Sequence, residues 1–239
     1  MFARTTEAPV LLIGAAHVVD LDQSIRQALQ DRPLDAIAVE LDAERATAVL
    51  SAPASLGRTR RGAPFFLQLW STIQRRLGEQ IGAGVPGAEM RTAAMLAKER
   101  GIPLLLIDDP IRETLGRLVR SLTFKERVSL LLGSIVGLLI PPRVVEREID
   151  RYTETPQDYL EQVRRAYPTV ARVLLDDRNE NMARRLATMR AEGYGRIAAV
   201  VGDAHVTGLA AALRRRSVPV ETLGFKELRE LKAPSAGSS

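Results

Sequence analysis

The apolar and polar positions of this chain alternate between two rhythms. Short unbroken apolar runs bounded by turn residues occur at Pro9–Gly14 (PVLLIG), Ala36–Asp42 (AIAVELD), Pro103–Asp109 (PLLLIDD) and Ile197–Asp203 (IAAVVGD). Runs of this kind predict strands of a parallel sheet, because a strand covered on both faces needs apolar side chains at successive positions. A fifth run, Val218–Gly224 (VPVETLG), is more polar and holds Pro219, which cannot donate to a ladder, so it predicts an edge strand. Between the runs lie stretches with helical spacing, the clearest being RVSLLLGSIVGLLI and TVARVLLDDRNENMARRLATMRAEG, the second closed by Gly193 as a helix C-terminus should be.

This order predicts an α/β fold: a central, mainly parallel sheet of about five strands flanked by helices. The stretch from 112 to 193 is too long for an ordinary crossover and predicts a helical insert or lid between the third and fourth strands. The expected organisation is a single domain over residues 1–230, with a flexible tail at 231–239. RRGAPFFLQLWSTIQRRLG, which contains Trp70, reads as a core helix, with a lid or interface helix as the alternative.

Composition narrows the chemistry. With no cysteine, disulfides, thiolate metal sites and a cysteine nucleophile are excluded, so any metal needs nitrogen and oxygen ligands. The apolar run Val128–Ile140 falls short of the roughly 18 to 20 residues that span a bilayer. It reads as a buried helix, with an interfacial or homodimer-forming role as the alternative, and its Gly133-x-x-x-Gly137 spacing suits close packing. An acidic residue precedes the first apolar stretch, unlike a secretory signal, so the expected location is cytoplasmic, with peripheral membrane contact left open. The net charge of +5 raises nucleic acid as a partner, but aromatics make up 4% and the cations are spread over helices, so none is expected.

The main functional signal is a repeated phrase. The chain holds 2 histidines, and both follow an apolar run in the same words: IGAAHV around His17 and VGDAHV around His205. In an open parallel sheet, ligands bind beyond the carboxyl ends of the strands. Those ends deliver His17 from the first strand, Glu40 and Asp42 from the second, Asp108 and Asp109 from the third, and Asp203 and His205 from the fourth. Gly14 and Gly202 are expected to turn the chain sharply by taking backbone angles closed to other residues. Two imidazoles and a carboxylate form a minimal site for a divalent metal with positions open to water and substrate. Glu89 opens a helix after Pro86 and Gly87, and Asp176, Asp177, Arg178, Glu180 and Asn181 crowd another; without further information both read as capping or solvated positions.

Six stretches in order, IGAAHV, VELDAER, PGAEMRTA, LIDDPIRETL, LLDDRNENMA and VVGDAHVTGL, resemble the TraB family, which includes pheromone-shutdown proteins and is related to the Tiki proteases and, distantly, to erythromycin esterases. The resemblance covers nearly the whole chain. It implies a hydrolase acting on a peptide or other small-molecule amide and using a divalent metal (Mn, Co or Zn). In that scheme His17, His205 and either Glu40 or Glu89 hold the metal, and the remaining glutamate acts as general base. The matching motifs add Arg91, Arg178 and Glu180, with an arginine holding the substrate carboxylate or the developing oxyanion. The competing readings are metal-free hydrolysis with a histidine base and a module that sequesters peptide without cutting it. The chain departs from the usual family phrase at Ala15 and Val19, where members often carry hydroxyls, and KAPSAGSS reads as a flexible tail, so a membrane-anchored mode of action is not expected.

Overall fold

The computed structural model describes residues 8–15, 21–51, 87–130 and 156–231. His17, Trp70, most of the Val128–Ile140 run and nearly all of the tail lie outside the described residues. The first elements are β1 (Val10–Ala15), α1 (Asp22–Leu29), β2 (Ala36–Val39), α2 (Ala43–Ser51), α3 (Ala88–Glu99) and β3 (Leu104–Leu106). Helices α4 (Ile111–Ser121), α5 (Pro156–Ala166) and α6 (Pro168–Ala171) follow, then a π-helical turn (Arg172–Asp176) and α7 (Asp177–Ala191). The chain closes with β4 (Ile197–Gly202), α8 (Asp203–Arg215), β5 (Val220–Leu223) and α9 (Phe225–Glu230).

The five strands form one sheet in the order β3-β2-β4-β1-β5. Every pairing is parallel, with Leu11 opposite Ala198, Ile37 opposite Ala198 on the other side of β4, and Val10 opposite Val220. The sheet is therefore wholly parallel, where the sequence predicts mainly parallel pairing, and β5 stands at an edge as Pro219 requires. Alternate residues of β1 and β4 feed opposite faces. Leu11, Ile13, Ala198 and Val200 pack with α1, α3 and α9, whereas Val10, Leu12, Ala199 and Val201 pack with α7 and α8. Both faces are thus covered, which explains the unbroken apolar runs of the central strands.

Strand order fixes where a crevice opens. From β1 the chain moves to β2 and β3 on one side, and from β4 it moves to β5 on the other. Helices leaving β1 and β4 therefore go to opposite faces, which parts the chain at the carboxyl ends of these neighbouring strands. Register sets Ala15 of β1 opposite Gly202 of β4, so the carboxyl ends of these two strands lie side by side.

The chain forms two compact units, residues 1–108 with 181–239, and residues 109–180. The described elements of the second unit are helical. Its helix α4 buries Thr114 and Leu118, and α5 packs on α6. Glu126 ties this unit together. Its Oε2 accepts from the backbone N–H and hydroxyl of Thr123, at 3.0 and 2.8 Å, and its Oε1 accepts from the Thr169 N–H at 2.8 Å. One carboxylate thereby caps the helical turns of 124–130 and the start of α6. Burial opposes ionisation of this carboxyl, but the Thr123 and Thr169 donors outweigh it and bring its pKa down to about 2.

Candidate functional site

At the carboxyl end of β2 the backbone continues the ladder for one more residue, with Glu40 N–H donating to Val200 O at 3.2 Å. That bond aims the Glu40 side chain across β4. Its Oε2 accepts from the Gly202 N–H at 2.7 Å, and its Oε1 lies 3.3 Å from Nε2 of His205. Gly202 is the residue before α8, a helix start without a side-chain cap, so Glu40 supplies from another strand the acceptor and negative charge that a helix N-terminus favours. His205 sits in the first turn of α8 and is 4% exposed.

The glycines of the two phrases serve closeness rather than turning. Among the described residues the glycines with left-handed backbone are Gly87, Gly101 and Gly193, whereas Gly202 has φ −60°. A Cβ on Gly14 would stand 2.5 Å from Asp203 Oδ1 and 2.8 Å from Val206 Cγ2. One on Gly202 would stand 3.3 Å from Glu40 Oε2 and 3.7 Å from His205 Cδ2. The expectation of sharp turns is thus corrected: the start of α8 leaves no room for a side chain at Gly14, and the Glu40 carboxylate makes the space at Gly202 tight. Asp203 uses the same Oδ1 to accept the Phe225 N–H at 2.9 Å, fastening the start of α8 to the start of α9.

A second carboxylate group lies at the end of β2 and β3. Asp42 caps α2, its Oδ1 accepting the Arg45 N–H at 2.8 Å, and its Oδ2 binds Arg45 Nε at 2.8 Å. Arg45 Nη2 also binds Asp108 Oδ2, and Arg185 Nη1 donates to the Asp108 carbonyl. Asp42 and Asp108 are 5% and 3% exposed. The sequence marks Asp42 as an N-cap, an aspartate one residue before a helix, but gives no signal that Arg45 bridges it to Asp108.

Glu89 lies in the first turn of α3, after Gly87 with its φ of 87°, and is 2% exposed. Helix α3 packs on β2 and β4 and runs back toward the amino end of β3, so its first turn stands at the carboxyl end of the sheet. Arg91 is half-buried two residues farther on. Arg178 and Glu180 belong to residues 109–180, where Arg178 Nη1 donates to Leu174 O at 3.3 Å beside the π-helical turn. The structure therefore joins Glu40 and His205 directly, and buries Glu89 at the same end of the sheet. Among the described residues no group of three or more His, Asp or Glu is placed to hold a metal ion, and His17 is not one of those residues.

The chain is 28% identical over 223 residues to an uncharacterized protein of Methanocaldococcus jannaschii, an alignment covering 90% of this chain and 56% of that one. The chain thus spans about half the length of the curated relative it matches. The family match runs over residues 3–222, from before β1 into β5, and takes in both histidine phrases. The chain belongs to the TraB/PrgY/gumN family.

Proposed function

We propose that the chain is a metal-dependent hydrolase acting on a peptide or other amide, with His205 and His17 as imidazole ligands at the carboxyl ends of β4 and β1. The observation that carries this reading is the grip of Glu40 on both Gly202 N–H and His205 Nε2. A carboxylate behind a histidine fixes ring orientation and tautomer and raises the basicity of the other nitrogen, the usual support of a metal-binding imidazole. Protonation at Nε2, facing the carboxylate, leaves the lone pair on Nδ1. Glu40 then serves His205 from behind, and Glu89 is the stronger candidate for general base or third ligand. The donor set is nitrogen and oxygen, which suits Zn, Mn or Co. A bound divalent ion there would polarise a carbonyl and acidify its water.

The test is metal content after loading with Mn, Co or Zn and desalting, beside His17→Ala and His205→Ala, followed by peptide-cleavage screens. Near-stoichiometric metal lost in both variants supports the reading, and retention in both sinks it. The same Glu40–His205 pair favours one competitor, a metal-free histidine base oriented by a carboxylate. Cleavage that survives chelator and vanishes in His205→Ala selects that competitor. Saturable binding with intact peptide recovered would instead mark a sequestering module.

A further inference from the structure

Among its described residues, the unit of residues 109–180 carries an exposed face on helix α4. Helix α4 buries Thr114 and Leu118. The opposite side carries Arg112, Gly116 and Arg120 at successive four-residue steps, with Val119 three residues after Gly116. A cavity of about 500 Å³ is lined there by Arg112, Glu113, Gly116, Arg117 and Arg120. Arg120 lies over the bare Gly116, where a Cβ would stand 3.3 Å from Nη1. Arg117 is tied to Asp109 at 2.8 Å and to Thr114 at 3.3 Å. Cations therefore dominate this face, with Glu113 as its acidic member.

Exposed apolar side chains follow closely in sequence. Val119 is 60% exposed, Phe124 81% and Val128, one turn after Phe124, 40%. Phe124 is not a frayed end. It opens the helical turns of 124–130 immediately after Thr123, whose N–H and hydroxyl are held by Glu126, itself bound to Thr169. Arg127 donates to Leu122 O at 3.1 Å and Val119 O at 2.9 Å, which fastens the same turns to the end of α4. An aromatic ring is thus held out in water by a capped, cross-braced corner, with the exposed Lys125 next to it.

The chemistry of the face selects its occupant. Among the described residues the face offers three separate apolar side chains, well short of the roughly 800 Å² per partner of a stable protein interface, and a second copy would bring arginines against arginines. One ring with two valines gives no row of stacking platforms for nucleic-acid bases. Projecting apolar groups among cations match an anionic lipid surface, where the side chains enter the acyl boundary and the guanidinium and ammonium groups meet phosphates. We propose that Val119, Phe124 and Val128, with Arg112, Arg120 and Lys125 around them, form a docking face for anionic membrane.

The test is sedimentation of the full chain with vesicles of phosphatidylcholine alone or mixed with phosphatidylglycerol, with circular dichroism to establish that each variant is folded. The expected result is binding to the anionic vesicles only, weakened by added salt. Phe124→Ser should lower the affinity about tenfold. Arg120→Glu and Lys125→Glu should each lower it about fivefold or more. His205→Ala, in the other unit, should leave it unchanged, so the outcome is independent of the proposed hydrolase site. Absence of anionic-vesicle binding, or binding indifferent to Phe124→Ser, overturns the proposal. A dimer in light scattering that Phe124→Ser dissolves also overturns it, by giving the face to a second copy.

Discussion

The two ends of the same sheet treat charge in opposite ways. At the amino end, arginines and carboxylates pair in the open: Arg32 with Glu221, each 43% exposed, and Arg196 with Asp35, 41% and 28% exposed. At the carboxyl end, Asp42, Glu89, Asp108 and His205 are all at most 5% exposed. Exposed pairs contribute little to stability, whereas buried charges cost several kcal/mol unless their partners are well placed. A fold seeking only stability would bury neither the carboxylates nor the histidine. Their concentration where the strand order parts the chain is the physical argument for a site there.

The sharpest way to break this comparison is Arg45→Met. The change removes the cation shared by Asp42 and Asp108, both buried, and keeps much of the apolar stem. The expected cost is about 3 kcal/mol, at the low end for a broken buried pair because Arg45 is 30% exposed. Urea denaturation at neutral pH measures it. A cost no larger than that of an amino-end pair would mean that burial at the carboxyl end carries no electrostatic weight.

Next in size is Gly14→Ala. Its Cβ would meet the Asp203 and Val206 side chains at 2.5 and 2.8 Å, so these side chains or the start of α8 that carries them must shift, at a cost of about 2 kcal/mol. Gly101→Ala is the control near the amino end. Nothing lies within 4 Å of its Cβ, and the penalty is the φ of 64° alone, about 1 kcal/mol. Equal costs would show that the crowding of α8 against β1 relaxes freely. If the crowding matters for function, Gly14→Ala also lowers metal loading at protein concentrations where the variant remains folded.

Much of this contrast was legible in the sequence, and the reasons differ by residue. The strands could be read because burial on both faces leaves unbroken apolar runs, and Gly193 could be read because its φ of 116° suits glycine alone. The repeated histidine phrase marked both strand ends before any geometry. The work of Glu40 could not be read, because its partner Gly202 is 162 residues away and a backbone N–H leaves no trace in sequence. The glycines were found for a mistaken reason. Sequence shows that a side chain is missing, but whether that serves φ or space depends on what packs above it. The π-helical turn at Arg172–Asp176 leaves no comparable signal.

A smaller effect sharpens the amino-end half. Arg32 grips Glu221 through two bonds of 2.9 and 2.5 Å, and this hydrogen bonding, opposed by partial burial, holds the Glu221 carboxyl below its ordinary value. The pair's contribution is therefore complete above the unfolded carboxylate range, near pH ~4.3, and is lost as pH falls through the lower folded value. Arg32→Met should cost less than about 1 kcal/mol at pH 7. The gap from the unsubstituted protein should close on acidification, as read from urea midpoints. A gap that widens in acid would reverse the assigned sign.

The smallest expected effect is a gain. Helices α3, α7 and α8 all return the chain to the amino end and all finish in the same way. The residue in left-handed conformation is Gly101, Gly193 or Ser217, and the next N–H bonds back five residues, to Ala97, Met189 or Leu213. This double-bonded cap satisfies the last carbonyls and aims the chain into β3, β4 or β5. Two of the three positions hold glycine, and the third holds serine at φ 57°, where its Cβ is crowded by the backbone. Ser217→Gly removes that crowding and gives back part of the gain through a freer unfolded chain. The net expectation is a stabilisation of about 0.5 kcal/mol, visible as a higher urea midpoint with unchanged slope. Because the position lies at the amino end, metal loading should not change. A loss of stability would instead mean that the Ser217 side chain contributes more than the crowding costs, and that this end of the sheet is less purely structural than its exposed ion pairs indicate.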